Sequence, residues 1–148
     1  MTYGRRPPLK TQRYFQSQEM GRWLNTFSWD LFATLTLKPD VCLSPKQLEW
    51  LFVNFISKLD KGITFFWAME WQNCRAVPHL HALVGNLQDI DQRLSLEGWA
   101  EKYGRFQVES YDALKDGCFY VVKNITTDRL IGWDVSDSLC CLPEGAKL

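Results

Sequence analysis

Two histidines stand two residues apart in Pro78-His79-Leu80-His81-Ala82-Leu83-Val84, and the chain contains no others. On a β-strand, residues i and i+2 project from the same face, so this spacing sets two imidazoles side by side while Leu80 and Ala82 turn to the opposite layer. Imidazole is a common ligand for divalent metals, and such a pair is half of a metal site. A carboxylate for the other half is available on the preceding apolar run, Ile63 to Trp71, which ends in Glu70. If these two runs form a hairpin closing symmetrically over residues 73 to 76, positions summing to 149 lie opposite each other. Glu70 then faces His79, His81 is one diagonal step away, and a slip of one residue sends the carboxylate to the other face. Pro78 opens the histidine strand, where a missing N–H is tolerated.

Two further pairs have side chains that could act on a substrate held there. Tyr120 and Lys123 lie three apart in Gly117-Cys118-Phe119-Tyr120-Val121-Val122-Lys123-Asn124-Ile125. With Asp116 as a cap and residues 118, 121, 122 and 125 as an apolar stripe, this reads as a helix that brings phenol and ammonium close together. Tyr111 followed by Lys115 is a competing tyrosine, at a strand-to-helix junction and with a spacing of four. Thr34 and Thr36, in Leu31-Phe32-Ala33-Thr34-Leu35-Thr36-Leu37, share one strand face with Phe32; they suit either plain β propensity or contacts to DNA.

These residues must be positioned by a small set of elements. Leu31 to Leu37 is a strand ended by Lys38-Pro39-Asp40. Ser44-Pro45 starts a helix whose apolar residues Leu48, Leu51, Phe52, Phe55, Ile56 and Leu59 recur at three and four, ending near Asp60-Lys61-Gly62. On the next strand Phe65, Trp67, Met69 and Trp71 share a face, suited to packing under a helix or to stacking bases. A second helix runs from about Asp89 or Asp91 to Tyr103, with Ile90, Leu94, Leu96, Trp99 and Ala100 on its apolar side. Gly104 stops it, and Arg105 to Ser110 is a short strand. Before all this, residues 1 to about 12 form an arm, and Tyr14 to Thr26 is a short helix or an irregular approach to the sheet.

With 148 residues, 46% of them apolar, the chain fits one domain with a packed core. We divide it into a basic arm and approach (1–30), a core (31–125) and an acidic tail (126–148). Its five cysteines form no Cys-X-X-Cys pair, which argues against a zinc finger and for packing thiols. No apolar run reaches the ~20 residues of a membrane span, and the first residues lack a secretory pattern, so a cytoplasmic protein with no membrane partner is expected. Net charge is zero, yet residues 1 to 38 carry six Lys/Arg against two Asp/Glu. Arg5 and Arg6 on that arm are candidates for phosphate contact.

A strand with paired threonines, a Glu strand, a His-X-His strand and a later Tyr-X-X-Lys helix follow one another here. In that order they resemble the replication-initiator (Rep) branch of the HUH endonucleases. Phe32-Ala33-Thr34-Leu35-Thr36 looks like the first Rep motif, His79-Leu80-His81 like the second and Tyr120-Val121-Val122-Lys123 like the third. The resemblance implies an α+β fold, a five-stranded antiparallel sheet with flanking helices related to the ferredoxin-like and RNA-recognition folds. It implies Mn²⁺ or Mg²⁺ on Glu70, His79 and His81, and Tyr120 as a nucleophile forming a 5′-phosphotyrosine and a free 3′-OH for rolling-circle replication. The implied substrate is single-stranded DNA or a hairpin origin, with Thr34, Thr36, Arg5, Arg6 and Asn124 as DNA contacts. Many Reps have an aromatic residue where this chain has Asn124. No Gly-X4-Gly-Lys-Ser/Thr loop is present, so unwinding and synthesis fall to a host helicase and polymerase. The alternatives are a small HUH tyrosine transposase and, in another class, a noncatalytic single-strand-binding module using Trp67, Trp71 and the basic arm.

Overall fold

A computed structural model describes residues 9–38, 40–59, 62–72, 77–124 and 127–136. Helix α1 (Leu9–Leu24) precedes strand β1 (Leu31–Leu37), helix α2 (Pro45–Leu59), the strands β2 (Thr64–Trp71) and β3 (Pro78–Gly85), helix α3 (Ile90–Tyr103) and strand β4 (Gly104–Ser110). A 3-10 turn (Ala113–Lys115), the short helix α4 (Gly117–Val121) and strand β5 (Leu130–Val135) follow. All five strands form one antiparallel sheet in the order β4-β1-β3-β2-β5. From β1 to β4 the order of elements is the β-α-β-β-α-β arrangement of ferredoxin-like folds, as the resemblance implies.

The sheet is covered on both faces, which is why β2 and β3 read as nearly unbroken apolar runs. On one face Leu48, Phe52 and Ile56 of α2 and Leu96 of α3 pack over Phe65, Trp67, Met69, Leu80 and Ala82. The aromatic side of β2 is therefore core; Trp67 is 3% exposed, which removes it as a base-stacking platform for the noncatalytic reading. Helix α2 begins as its sequence predicts, with a reciprocal cap: the Gln47 N–H donates to Ser44 Oγ, and the Ser44 N–H donates to Gln47 Oε1. Leu94 departs from expectation and is exposed; two residues from Leu96, it lies about 200° around the helix from the side facing the sheet.

The other face carries Phe66, Ala68 and Leu83 under Leu24 of α1 and Cys118, Val121 and Val122 of α4. The approach to β1 is thus a helix of 16 residues, and it clamps α4. A side chain at Gly21 would put Cβ 2.3 Å from the Phe119 ring, so glycine is what lets the two helices approach. The Ser17 hydroxyl donates to the Val122 carbonyl at the exit of α4. Two expectations for α4 change. It ends at Val121 rather than running through residue 125, and the Asp116 side chain makes no capping bond. Asp116 instead adopts a left-handed conformation (φ 53°), and its carbonyl accepts from the Phe119 and Tyr120 N–H groups. Strand β5 lies in the stretch read as a tail; its Gly132 and Asp134 interrupt the apolar run that would mark a strand. No described helix is long and apolar enough to cross a membrane.

Candidate metal centre and adjoining tyrosine

The β2–β3 hairpin has the expected register, with Glu70 opposite His79 and Ala68 opposite His81. All three polar side chains emerge on the α4 side of the sheet, at the end that the helices leave open. Glu70 Oε1 lies 3.2 Å from His81 Nε2 and 3.7 Å from His79 Nε2, and the two Nε2 atoms are 2.8 Å apart. The circle through these atoms has a radius of about 1.9 Å, so a cation with bonds of about 2.0–2.2 Å seats just off their plane. Two imidazoles and one carboxylate leave further positions free for a substrate oxygen. The group can hold a divalent metal ion, and among the described residues it is the one His/Cys/Asp/Glu cluster of that kind.

Each ligand is held from behind. Strand β1 pairs with β3 so that Thr34 lies opposite His81 and Thr36 opposite His79. The Thr34 Oγ1 is 3.1 Å from His81 Nδ1, and the Thr36 Oγ1 is 3.4 Å from His79 Nδ1. With the ring proton on Nδ1 and donated to threonine, Nε2 keeps its lone pair for a metal. The Thr-X-Thr spacing of β1 thus mirrors the His-X-His spacing of β3. That shared period of two was the signal for this role; assigning the threonines to DNA contact alone missed it. Asn124 also has a partner at the centre: its amide Nδ2 donates to Glu70 Oε2 over 2.5 Å. The Thr127 hydroxyl, near both the Asn124 carbonyl and its Oδ1, keeps the amide in that orientation.

The charge states suit metal binding. Burial alone would raise the Glu70 carboxyl, but hydrogen bonds from His81 and Asn124 and the nearby charges of His81 and Lys123 outweigh it, leaving the group at about 2. Burial, then repulsion from His81, lowers His79 to about 4 against the pull of Glu70, so this imidazole is neutral at pH 7. Side-chain exposure falls from 18% at His79 to 2% at His81, so a ligand approaches from the His79 side.

Tyr120 stands at the edge of this group. Its ring is edge-on to His81, 5.3 Å between centroids, and to Phe32 at 5.8 Å; the residue is 45% exposed. Val121 and Val122, buried in the second core, turn Tyr120 and Lys123 outward. Lys123 Nζ sits 3.7 Å from the Tyr120 ring centroid, a cation over an aromatic face. Tyr111 is placed otherwise: its hydroxyl is 3.1 Å from Cys118 Sγ, and burial followed by that contact pushes its phenol well above the usual range. It is the poorer nucleophile of the two. Arg5 and Arg6 lie outside the described residues.

No curated protein and no solved structure matches the chain. The family profile of the replication-associated protein ORF2 matches residues 30–129, a span that holds β1 through Thr127 and every side chain of the group just described. The His-His-Glu cluster also fits the HUH pattern of two histidines around an apolar residue. The chain belongs to the replication-associated protein ORF2 family, a Rep-type family.

Proposed function

We propose that this chain is a metal-dependent endonuclease and strand transferase that nicks single-stranded DNA, or DNA extruded as a hairpin, at a replication origin. The observation that carries this reading is the convergence of Glu70, His79 and His81 beside the half-exposed Tyr120, with Asn124 joining the tyrosine's own turn to the Glu70 carboxylate.

A divalent ion on Glu70, His79 and His81, Mn²⁺ or Mg²⁺, would neutralise a scissile phosphate and orient its phosphorus. The protein's residues do the rest. Tyr120 Oη attacks phosphorus in line, forming the new O–P bond as the bond to the 3′ oxygen breaks. The phenol gives up a proton and the departing 3′ oxygen gains one, so the products are a 5′-phosphotyrosine and a 3′-OH. A phenol has an ordinary pKa near 10. The Lys123 ammonium over its ring favours the electron-rich phenolate that develops during attack. Thr34 and Thr36 keep the histidine lone pairs aimed, and Asn124 keeps Glu70 Oε1 free by occupying Oε2. Because the phosphodiester energy is retained in the tyrosyl ester, a 3′-OH can attack in reverse and rejoin the strand without ATP. That property suits rolling-circle replication, with a host helicase and polymerase extending the 3′ end.

The test is incubation with a pool of single-stranded oligonucleotides with Mn²⁺ or Mg²⁺, followed by denaturing electrophoresis. A protein–DNA adduct that forms with the metal, disappears with EDTA and is lost in Tyr120→Phe supports the reading. Absence of any adduct, or its persistence in Tyr120→Phe, overturns it.

A further inference from the structure

On the far side of Tyr120 from the metal group lies a second cleft, of about 240 Å³, between β1, β4 and the start of α4. It is a continuation of the same sheet face. Gln107, Thr34 and His81 form one cross-strand row, and Glu109 and Phe32 are paired in the next. Gln107 is therefore two strand spacings, ~10 Å, from a metal ligand. A polymeric substrate with its phosphate at Tyr120 passes this opening.

The walls are of two kinds. Phe32, Tyr111 and Tyr120 supply aromatic surface, which stacks on bases irrespective of their identity. Opposite them, Glu109 accepts from the Gln107 amide (2.9 Å) through Oε1 and from Lys115 Nζ (3.2 Å) through Oε2. The Gln107 side-chain oxygen takes no partner among the described residues. Lys115, the cation of this rim, is already paired with Glu109, and Asp112 adds a second carboxylate to the lining. Such a rim repels a phosphate. It offers hydrogen-bond acceptors beside aromatic faces, the arrangement that receives a base carrying an amino group. The volume lies below the ~300–1,000 Å³ of pockets for larger ligands, as befits a single base.

We infer that this cleft is a base-reading subsite: it seats one unpaired nucleobase near the scissile phosphate, with Glu109 and Gln107 selecting an amino-bearing base (adenine, cytosine or guanine) over thymine. The inference rests on the single-stranded DNA substrate proposed above but not on the cutting chemistry. Glu109 and Gln107 are specificity residues; neither touches the reacting atoms.

The test selects binders from a random single-stranded DNA library in EDTA, using the full chain as wild type and as Glu109→Gln, and sequences what is retained. Glu109 is on the surface in an ion pair with a well-exposed lysine, and the amide keeps its shape, so the variant is expected to fold; circular dichroism checks this. The expected result is one position at which the wild type disfavours thymine about tenfold, a bias that Glu109→Gln abolishes because its amide can also donate to the thymine carbonyl. Gln107→Ala weakens the same bias and provides a second variant. Identical profiles for wild type and both variants, no position that rejects thymine, or no binding of single strands each overturns the inference. Retention of the bias in a protein that forms no covalent adduct would overturn the nicking reaction and leave the subsite standing.

Discussion

Replacing Asn124 with alanine removes one hydrogen bond and leaves the three metal ligands in place. The bond is short, 2.5 Å, and its acceptor is a carboxylate only 8% exposed. Hydrogen bonds to charged groups contribute about 1.5–3 kcal/mol, and losing a partner behind a metal ligand costs about 10–100-fold in affinity. At pH 7 the effect cannot come from protonation. Glu70 stands at about 2, and loss of one hydrogen-bond donor raises it but leaves it ionised. The loss falls instead on orientation, since Oε2 no longer has a fixed partner and Oε1 is free to swing away from the histidines. Titrating metal-free protein with Mn²⁺, followed by the electron paramagnetic resonance of the free ion, should therefore show Asn124→Ala binding at least about tenfold more weakly than wild type. The metal-free variant should also unfold at lower denaturant, by about 1–3 kcal/mol, because a buried carboxylate has lost a donor. Thr127→Val, which touches only the far side of the amide, should have a smaller effect. Mn²⁺ affinity in Asn124→Ala within twofold of wild type would refute the claim that this residue positions Glu70.

Thr34→Val keeps the shape of the side chain and removes the partner of His81 Nδ1; nitrogen-15 NMR should then show a mixture of ring tautomers, with Mn²⁺ affinity down about 10–100-fold. Acid should destabilise the metal-free protein in two stages. Between the ordinary histidine value of 6.5 and about 4 the unfolded chain binds a proton that folded His79 refuses, so stability falls as pH drops through that window. It falls again between 4.5 and about 2 as Glu70 is protonated, each stage being up to roughly 3 kcal/mol and both contributions being complete above pH 6.5. Urea midpoints that stay constant from pH 7 to pH 4 would contradict this. Gly104→Ala would place Cβ 2.0 Å from the Thr36 carbonyl oxygen, so we expect about 1–3 kcal/mol of destabilisation and, through displaced Thr36, weaker Mn²⁺ binding, both measurable by melting with and without the ion.

Much of the site was legible because strands alternate and hairpins pair by a simple rule. Glu70 and His79 could be placed opposite each other from the distance between two apolar runs, and the structure has that register. The partners behind the ligands were not legible in the same way. Thr34 and Thr36 reach the histidines only because β1 lies beside β3 in one particular register, which local sequence does not specify. Asn124 reaches Glu70 because the chain leaves the helix after Val121; an apolar stripe through residue 125 had suggested a longer one. Strand β5 was hidden for another reason. It is an edge strand with Trp133 and Asp134 exposed, so burial imposes little pattern on it, and the five-stranded count came from family resemblance alone. Helix α1 escaped a firm reading because the face it covers belongs to β2 and β3, which looked complete with the two helices between the strands.

Whether Tyr120 becomes joined to DNA is measured most directly by mass spectrometry of proteolysed adduct, formed with Mn²⁺ on single-stranded oligonucleotides. The expected result is a single modified peptide in which Tyr120 carries the 5′-phosphate of the cleaved strand, together with a matching fragment ending in a 3′-OH. Modification of Tyr111 or of any other residue, or cleavage that leaves the protein unmodified, would contradict it.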